Sequence, residues 1–194
     1  GGYRRVPKVK VDYYSEEVPL MLNPARPLSI GPLDLYDYYF EHKVHIEDAM
    51  KRVPEVVREV NEQWFELSGR RYGDGILDTY GVEDADVIVT VLGSAAGTVR
   101  YVAKKLRREG LKVGVVKIRL YRPFPHREIA EILRHAKVVG VMDRGMSFGS
   151  YGPSYLDIAA SLYDYKEKPM LVNYIYGLGG RDLSPRSEEH TSEL

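Results

Sequence analysis

Four short apolar runs, almost unbroken by polar residues, constrain this chain more than any other feature. They are Asp86-Val87-Ile88-Val89-Thr90-Val91-Leu92, Lys112-Val113-Gly114-Val115-Val116-Lys117-Ile118, Lys137-Val138-Val139-Gly140-Val141-Met142 and Met170-Leu171-Val172-Asn173-Tyr174-Ile175. A strand with one face in water alternates apolar and polar residues, whereas a strand covered on both faces does not. Between the runs, apolar residues recur at helical spacing. Val99, Val102, Ala103 and Leu106 mark a helix over 97–109, stopped by Gly110. Ile129, Ile132 and Leu133 mark one over 127–134, and Leu156, Ile158, Ala159 and Leu162 one over 154–163. Strands and helices in alternation predict an α/β domain over 81–185, a mostly parallel sheet with helices on both faces.

Upstream the pattern differs. Residues 1–36 contain Pro7, Pro19, Pro24, Pro27 and Pro32, which forbid a long helix. Val9 to Tyr13 alternates as a short strand would, and the rest reads as an extended arm or linker from an upstream domain. Residues 37–80 read as a helical connector. Helical period starts near Leu33, with Asp34 as a cap and Tyr36, Tyr39, Phe40, Val44 and Met50 at helix-like intervals. Val53-Pro54 predicts a break, with Pro54 in the first turn of a second helix. Val56, Val57, Val60, Trp64 and Leu67 then mark one packing face, and Gly69 is the stop. The chain begins without Met, and residues 186–194 are polar and aperiodic after Pro185, so it reads as part of something longer with a tail outside the fold. His190 lies in that tail and carries no functional weight.

Composition narrows the function. Lys+Arg and Asp+Glu are both 28, and this balance argues against a dedicated nucleic-acid binder. No run is long and apolar enough to span a bilayer, and no secretory leader is visible, so a cytoplasmic protein is expected. The chain has no cysteine, so it cannot by itself build a disulfide, a thiolate zinc site or a Cys-ligated iron–sulfur cluster.

Ligands of parallel sheets bind at the loops after the strand C-termini, and four such loops qualify. In Gly93-Ser94-Ala95-Ala96-Gly97-Thr98, small residues at a strand-to-helix turn expose backbone N–H groups. This makes Gly93, Ser94, Gly97 and Thr98 candidates for phosphate contact, or the loop a tight packing turn. It is neither a Walker A loop nor a dinucleotide fingerprint, and no acid follows the second strand to hold a ribose. In Arg119-Leu120-Tyr121-Arg122-Pro123-Phe124-Pro125, Arg119 and Arg122 suit a phosphate or a partner's carboxylate, or the loop is simply rigid with Phe124 plugging the core. In the glycine-rich loop from Asp143 to Gly152, Asp143 either accepts from a ligand or pairs with Arg144. It has no visible His or Lys partner for catalysis. In Tyr176-Gly177-Leu178-Gly179-Gly180-Arg181-Asp182 the glycines permit close approach by another chain, and Arg181 and Asp182 pair locally or across an interface. His42, His45, His126 and His135 show no convincing metal spacing and read as solvated or packing residues. The spacing offers no Ser-His-Asp or paired-carboxylate arrangement, so no residue is assigned a catalytic role.

The same loops, in order, resemble a known family. Asp84-Ala85-Asp86-Val87 leading to Gly93-Ser94-Ala95-Ala96-Gly97-Thr98, Leu106 to Gly114, Ile118 to Pro125, Met142 to Gly149 and Gly177 to Asp182 are similar to the alpha subunit of pyruvate:ferredoxin oxidoreductases. Gly69-Arg70-Arg71-Tyr72-Gly73 and the helix with His45 and Ala49-Met50 add to the likeness, which covers roughly residues 12–185. The resemblance implies a transketolase C-terminal-like domain, with one antiparallel strand at an edge of the sheet. It implies an enzyme that joins a 2-oxoacid, coenzyme A and oxidised ferredoxin to give acyl-CoA, carbon dioxide and reduced ferredoxin. Thiamine diphosphate and iron–sulfur clusters would sit in other domains and subunits, its partners, and no cofactor would be bound by this chain alone. Arg119, Arg122, Asp143, Arg144, Gly179 and Arg181 are then expected near interdomain contacts or substrate. The rival readings are a stand-alone nucleotide-binding domain and a protein-interaction domain.

Overall fold

A computed structural model of the chain describes residues 34–185. Its elements are α1 (Tyr39–Ser68), β1 (Leu77–Tyr80), β2 (Val87–Leu92), α2 (Ala95–Arg108), β3 (Val113–Ile118), α3 (His126–Leu133), β4 (Val138–Asp143), α4 (Pro153–Leu162) and β5 (Met170–Ile175), followed by a short 3-10 turn at Leu178–Gly180. The arm expected over 1–36, its Val9–Tyr13 strand and the 186–194 tail lie largely or wholly outside the described residues.

The five strands form one sheet in the order β1-β3-β2-β4-β5. β2, β3, β4 and β5 are parallel, and β1 runs antiparallel to β3 at the edge, with Leu77 opposite Ile118 and Tyr80 opposite Val115. The α/β fold read from the apolar runs is therefore present, together with the antiparallel edge strand that the resemblance implied. The connector read over 37–80 is not all helical, because its last residues form β1.

Two cores flank the sheet. On one face Ile88, Val116, Val139 and Val141 pack with Ile129 and Leu133 of α3 and Ile158 and Leu162 of α4. On the other, Val91, Val115 and Met142 pack with Ala96, Val99 and Ala103 of α2. The continuous apolar runs of β2, β3 and β4 are explained by this arrangement, since each contributes to both cores. α2 ends as its sequence predicts. Gly110 takes φ +90°, its N–H reaches the Arg107 carbonyl, and the Leu111 N–H reaches that of Leu106, the Schellman pattern.

The helical connector departs from expectation. α1 runs without a break from Tyr39 to Ser68, with Pro54 inside it. A proline interior to a helix removes one hydrogen bond, which a largely exposed helix tolerates more readily than a buried one. The expected packing face also divides. Val57 packs against the core beside Asn61, only 8% exposed, whereas Val56, Val60, Trp64 and Leu67 stand exposed. These four recur every three or four residues and form a separate stripe. Two units divide between His45 and Ile46. In the first, the Asp34 carboxylate pairs at 2.7 Å with Nδ1 of His42. Asp34 thus holds a ring four residues into the helix rather than capping its start.

Candidate functional site

From β2 the chain moves through α2 to β3, then returns through α3 past β2 to β4, and on through α4 to β5. The direction of winding reverses between β2 and β4. At such a point the loops after neighbouring strands part, and a crevice opens outside their C-terminal ends. One of about 350 Å³ lies there, between Gly93 and Ser94 after β2 and Asp143 and Arg144 after β4, with Tyr121 and Tyr176 also lining it.

Asp143 is the innermost charged group, 3% exposed. Its Oδ1 accepts the Ser154 N–H at 2.9 Å, and its Oδ2 accepts the Tyr155 N–H at 3.1 Å. These are free N–H groups of the first turn of α4, where Pro153 occupies the N-terminal position that needs no donor. A carboxylate is favoured there by the helix dipole as well. Asn173 of β5 completes the joint: its Oδ1 accepts the Gly152 N–H at 2.9 Å. Asp143 therefore holds its own chain while lining the crevice, and the alternative of an ion pair with Arg144 is not what the structure shows. Arg144 instead donates from Nε to the Gly177 carbonyl at 3.1 Å, tying the loop after β4 to the loop after β5.

The β3 loop is held from within in the same way. Phe124 is 8% exposed and belongs to the core, as its plugging role required. Arg122 pairs with Asp157 of α4 at 3.0 Å and lies over the Tyr121 ring, 4.1 Å from its centroid. Arg119 points elsewhere, 5.1 Å over the ring of Tyr72. The two arginines thus do not converge on one anion. Burial, and then the nearby Asp157 carboxylate, push the Tyr121 hydroxyl above its ordinary value. Burial likewise raises Tyr176. A raised folded pKa favours the neutral phenol, so its contribution is complete below the ordinary value near 10 and is lost as pH rises through the folded value. Tyr121→Phe should therefore lose stability less steeply than the parent between about pH 9 and about pH 11, in urea midpoints. Equal slopes would show that Tyr121 titrates as a free phenol.

Gly93 and Ser94 sit exposed at the mouth of the crevice, while Gly97 and Thr98 lie inside α2. Ser94 makes no side-chain cap hydrogen bond. Gly179, Arg181 and Asp182 are exposed in the segment after β5. Among the described residues no three His, Asp or Glu side chains gather as a metal group. His126 Nδ1 lies 2.7 Å from the Ser161 hydroxyl, a local contact between α3 and α4. The structure thus brings Gly93, Ser94, Asp143 and Arg144 to one crevice and leaves Arg119, Gly179 and Arg181 away from its lining. Sequence reading missed Gly152 and Asn173 as parts of the Asp143 joint. The available signal was the Gly-Pro pair opening a helix, which calls for a capping group from elsewhere.

Fold and crevice together define a class: an α/β domain whose polar loop residues are largely spent on holding its own loops in place. The chain belongs to the pyruvate:ferredoxin oxidoreductase core domain II family, whose model matches residues 85–187. It is 44% identical over 165 residues to pyruvate synthase subunit PorA of Thermotoga maritima, covering 85% of this chain and 42% of that one. The corresponding subunit of Methanocaldococcus jannaschii is 39% identical over 163 residues, covering 84% and 41%. Ketoisovalerate oxidoreductase subunit VorA of Pyrococcus horikoshii is 36% identical over 167 residues, covering 86% and 42%. A solved 2-oxoglutarate:ferredoxin oxidoreductase from Magnetococcus marinus aligns with a TM-score of 0.43 and 24% identity over 73% of this chain and 22% of its own. The chain spans about two fifths of the length of these curated relatives.

Proposed function

We propose that this chain is an assembly domain of the alpha subunit of a 2-oxoacid:ferredoxin oxidoreductase that acts on pyruvate. The whole complex would oxidatively decarboxylate the acid with coenzyme A, giving acyl-CoA, carbon dioxide and reduced ferredoxin. The observation that carries this reading is the match to the family, with pyruvate synthase subunits at 39–44% identity. Two features of the chain support a scaffolding part in it. The buried carboxylate of the crevice is bound to its own helix N-terminus, and its neighbour Arg144 ties the loop after β4 to that after β5. The exposed stripe of Val56, Val60, Trp64 and Leu67 suits an interface with another domain or subunit.

Thiamine diphosphate and iron–sulfur clusters are assigned to other parts of the complex. Without cysteine this chain offers no thiolate ligand, and its described residues offer no acidic cluster for a diphosphate's metal. No described helix is long and apolar enough to cross a membrane, and we place the complex in the cytoplasm. Gly93, Ser94 and Arg144 at the crevice mouth are its residues nearest to substrate or to the neighbouring domain. Arg119, Arg122, Gly179 and Arg181 face other contacts of the assembly.

The test is to express the full-length subunit with its neighbouring subunits without oxygen, then follow CoA-dependent reduction of a viologen dye with pyruvate and other 2-oxoacids. Activity that requires this segment and prefers pyruvate is the expected result. A complex shown to hold its cofactors yet inert towards every 2-oxoacid would sink the proposal. Preference for a branched acid would keep the family and change the substrate.

A further inference from the structure

The two faces of the sheet are covered unequally. α3 and α4 lie over one face, and Val57 of α1 also packs into that core. The opposite face has α2, which lies over β2 and β3. Among the described residues, β4 and β5 present to that side a floor with no helix above it. The register defines the floor, since Val138, Gly140 and Met142 stand beside Met170, Val172 and Tyr174, and Met142 belongs to the α2-side core. Met170 is 66% exposed and Tyr174 41% exposed, although both are large apolar side chains of a strand next to the buried β4. Tyr174 lies across Gly140, where an added Cβ would come within 3.2 Å of its ring. A groove of about 220 Å³ lies between α2 and the Met142–Tyr174 end of this floor, with Val102 and Leu106 as its wall.

We infer that this groove seats one amphipathic helix contributed by the same subunit's own polypeptide, laid beside α2 over β4 and β5. Three observations select that occupant. Layered α/β domains cover both faces of a parallel sheet, and a single helix would complete this face. The chain itself already enters the groove: after β5 it turns through Leu178–Gly180 and puts Leu183 against the α2-side core. The relatives are more than twice as long as the part matched here, so the subunit has polypeptide to supply. The groove's wall and floor are apolar, and a helix with apolar residues at i, i+3, i+4 and i+7 would match them. The inference rests on the chain being part of a longer subunit, not on the reaction of that subunit.

The chain has no cysteine, so introduced ones report single positions. Met170→Cys and Tyr174→Cys mark the floor, and Tyr163→Cys, 76% exposed at the end of α4, is the control. Each would be labelled with a maleimide in this 194-residue chain and in the isolated full-length subunit, with the label located by mass spectrometry. Labelling at 170 and 174 is expected to slow roughly tenfold or more in the full-length subunit, with 163 unchanged. Peroxide oxidation of Met170 in the unsubstituted proteins should slow likewise, which guards against an effect of the cysteines. Equal rates in the two proteins would overturn the inference. So would protection that appears only when other subunits are added, or that appears in the 194-residue chain as its concentration rises. Because none of these readouts is catalytic, failure here leaves the proposed activity standing, and the reverse also holds.

Discussion

Gly152→Ala is expected to destabilise the domain by about 3 kcal/mol, lowering Tm by about 6–12 °C in thermal unfolding. The cause is space, not backbone freedom. Gly152 has φ −61° and ψ 150°, which any residue adopts. A Cβ there, however, would overlap Oδ2 of Asp143 and stand 2.6 Å from its Cγ. Asp143 cannot swing aside cheaply, because both its oxygens hold N–H groups of α4 in a buried site. Moving it leaves those donors unpaired, at about 1–3 kcal/mol for each buried group. Asp143→Ala removes the same bonds and the two nearest atoms of the obstacle, leaving its Cβ at 2.7 Å. The two losses should then be clearly less than additive in the double variant, a coupling that a thermodynamic cycle measures. Additive losses would show that Gly152 matters for another reason.

The parts of this fold that sequence revealed are those carried by local pattern. Runs such as Val87–Leu92 are apolar because both faces are covered, and helices such as 95–108 repeat their apolar residues at the helical period, so strands and helices stood within a residue or two of their places. Pairing is a different matter. Nothing local in Leu77-Asp78-Thr79-Tyr80 says that it runs antiparallel beside Val115–Ile118, and only the resemblance supplied that edge strand. Pro54 misled because an interior proline, at a cost of about 3 kcal/mol, usually ends a helix, whereas α1 continues through it for fourteen more residues to Ser68. For the candidate site, sequence identified the right loops but not their internal debts. Asp143 stood out as a lone acid after a strand, and its partners are main-chain groups eleven and twelve residues on, which no side-chain pattern announces. Arg122 likewise looked free for an anion until Asp157, on α4, took it.

Gly73→Ala is expected to loosen the attachment of α1, and it separates two costs that a glycine in a turn usually confounds. Gly73 has φ +58°, and a Cβ there would run into the Leu77 main-chain carbonyl, 2.8 Å from its carbon and 2.9 Å from the Asp78 Cα. Leu77 opens β1 opposite Ile118, so the obstacle is main chain fixed in the sheet rather than a side chain able to rotate. The turn is already tied on every side. Asp74 Oδ1 accepts the N–H groups of Ile76 and Leu77 at 2.9 Å, and the Gly73 carbonyl accepts Nδ2 of the buried Asn61 of α1 at 3.3 Å. Relieving the clash must therefore shift β1 or release Asn61, and the latter frees the end of α1 that also rests on Val57. Gly69 provides the comparison, since it has φ +68° but nothing within 4 Å of an added Cβ. Gly69→Ala should cost only the left-handed conformation, about 1 kcal/mol, whereas Gly73→Ala should cost about 3 kcal/mol or more. Hydrogen exchange localises the difference: amides of α1 around Asn61 should lose protection roughly tenfold or more in Gly73→Ala and little in Gly69→Ala. Equal losses in the two variants would mean that left-handed strain alone decides this turn, and that α1 is held to the sheet by something other than the Asn61–Gly73 bond.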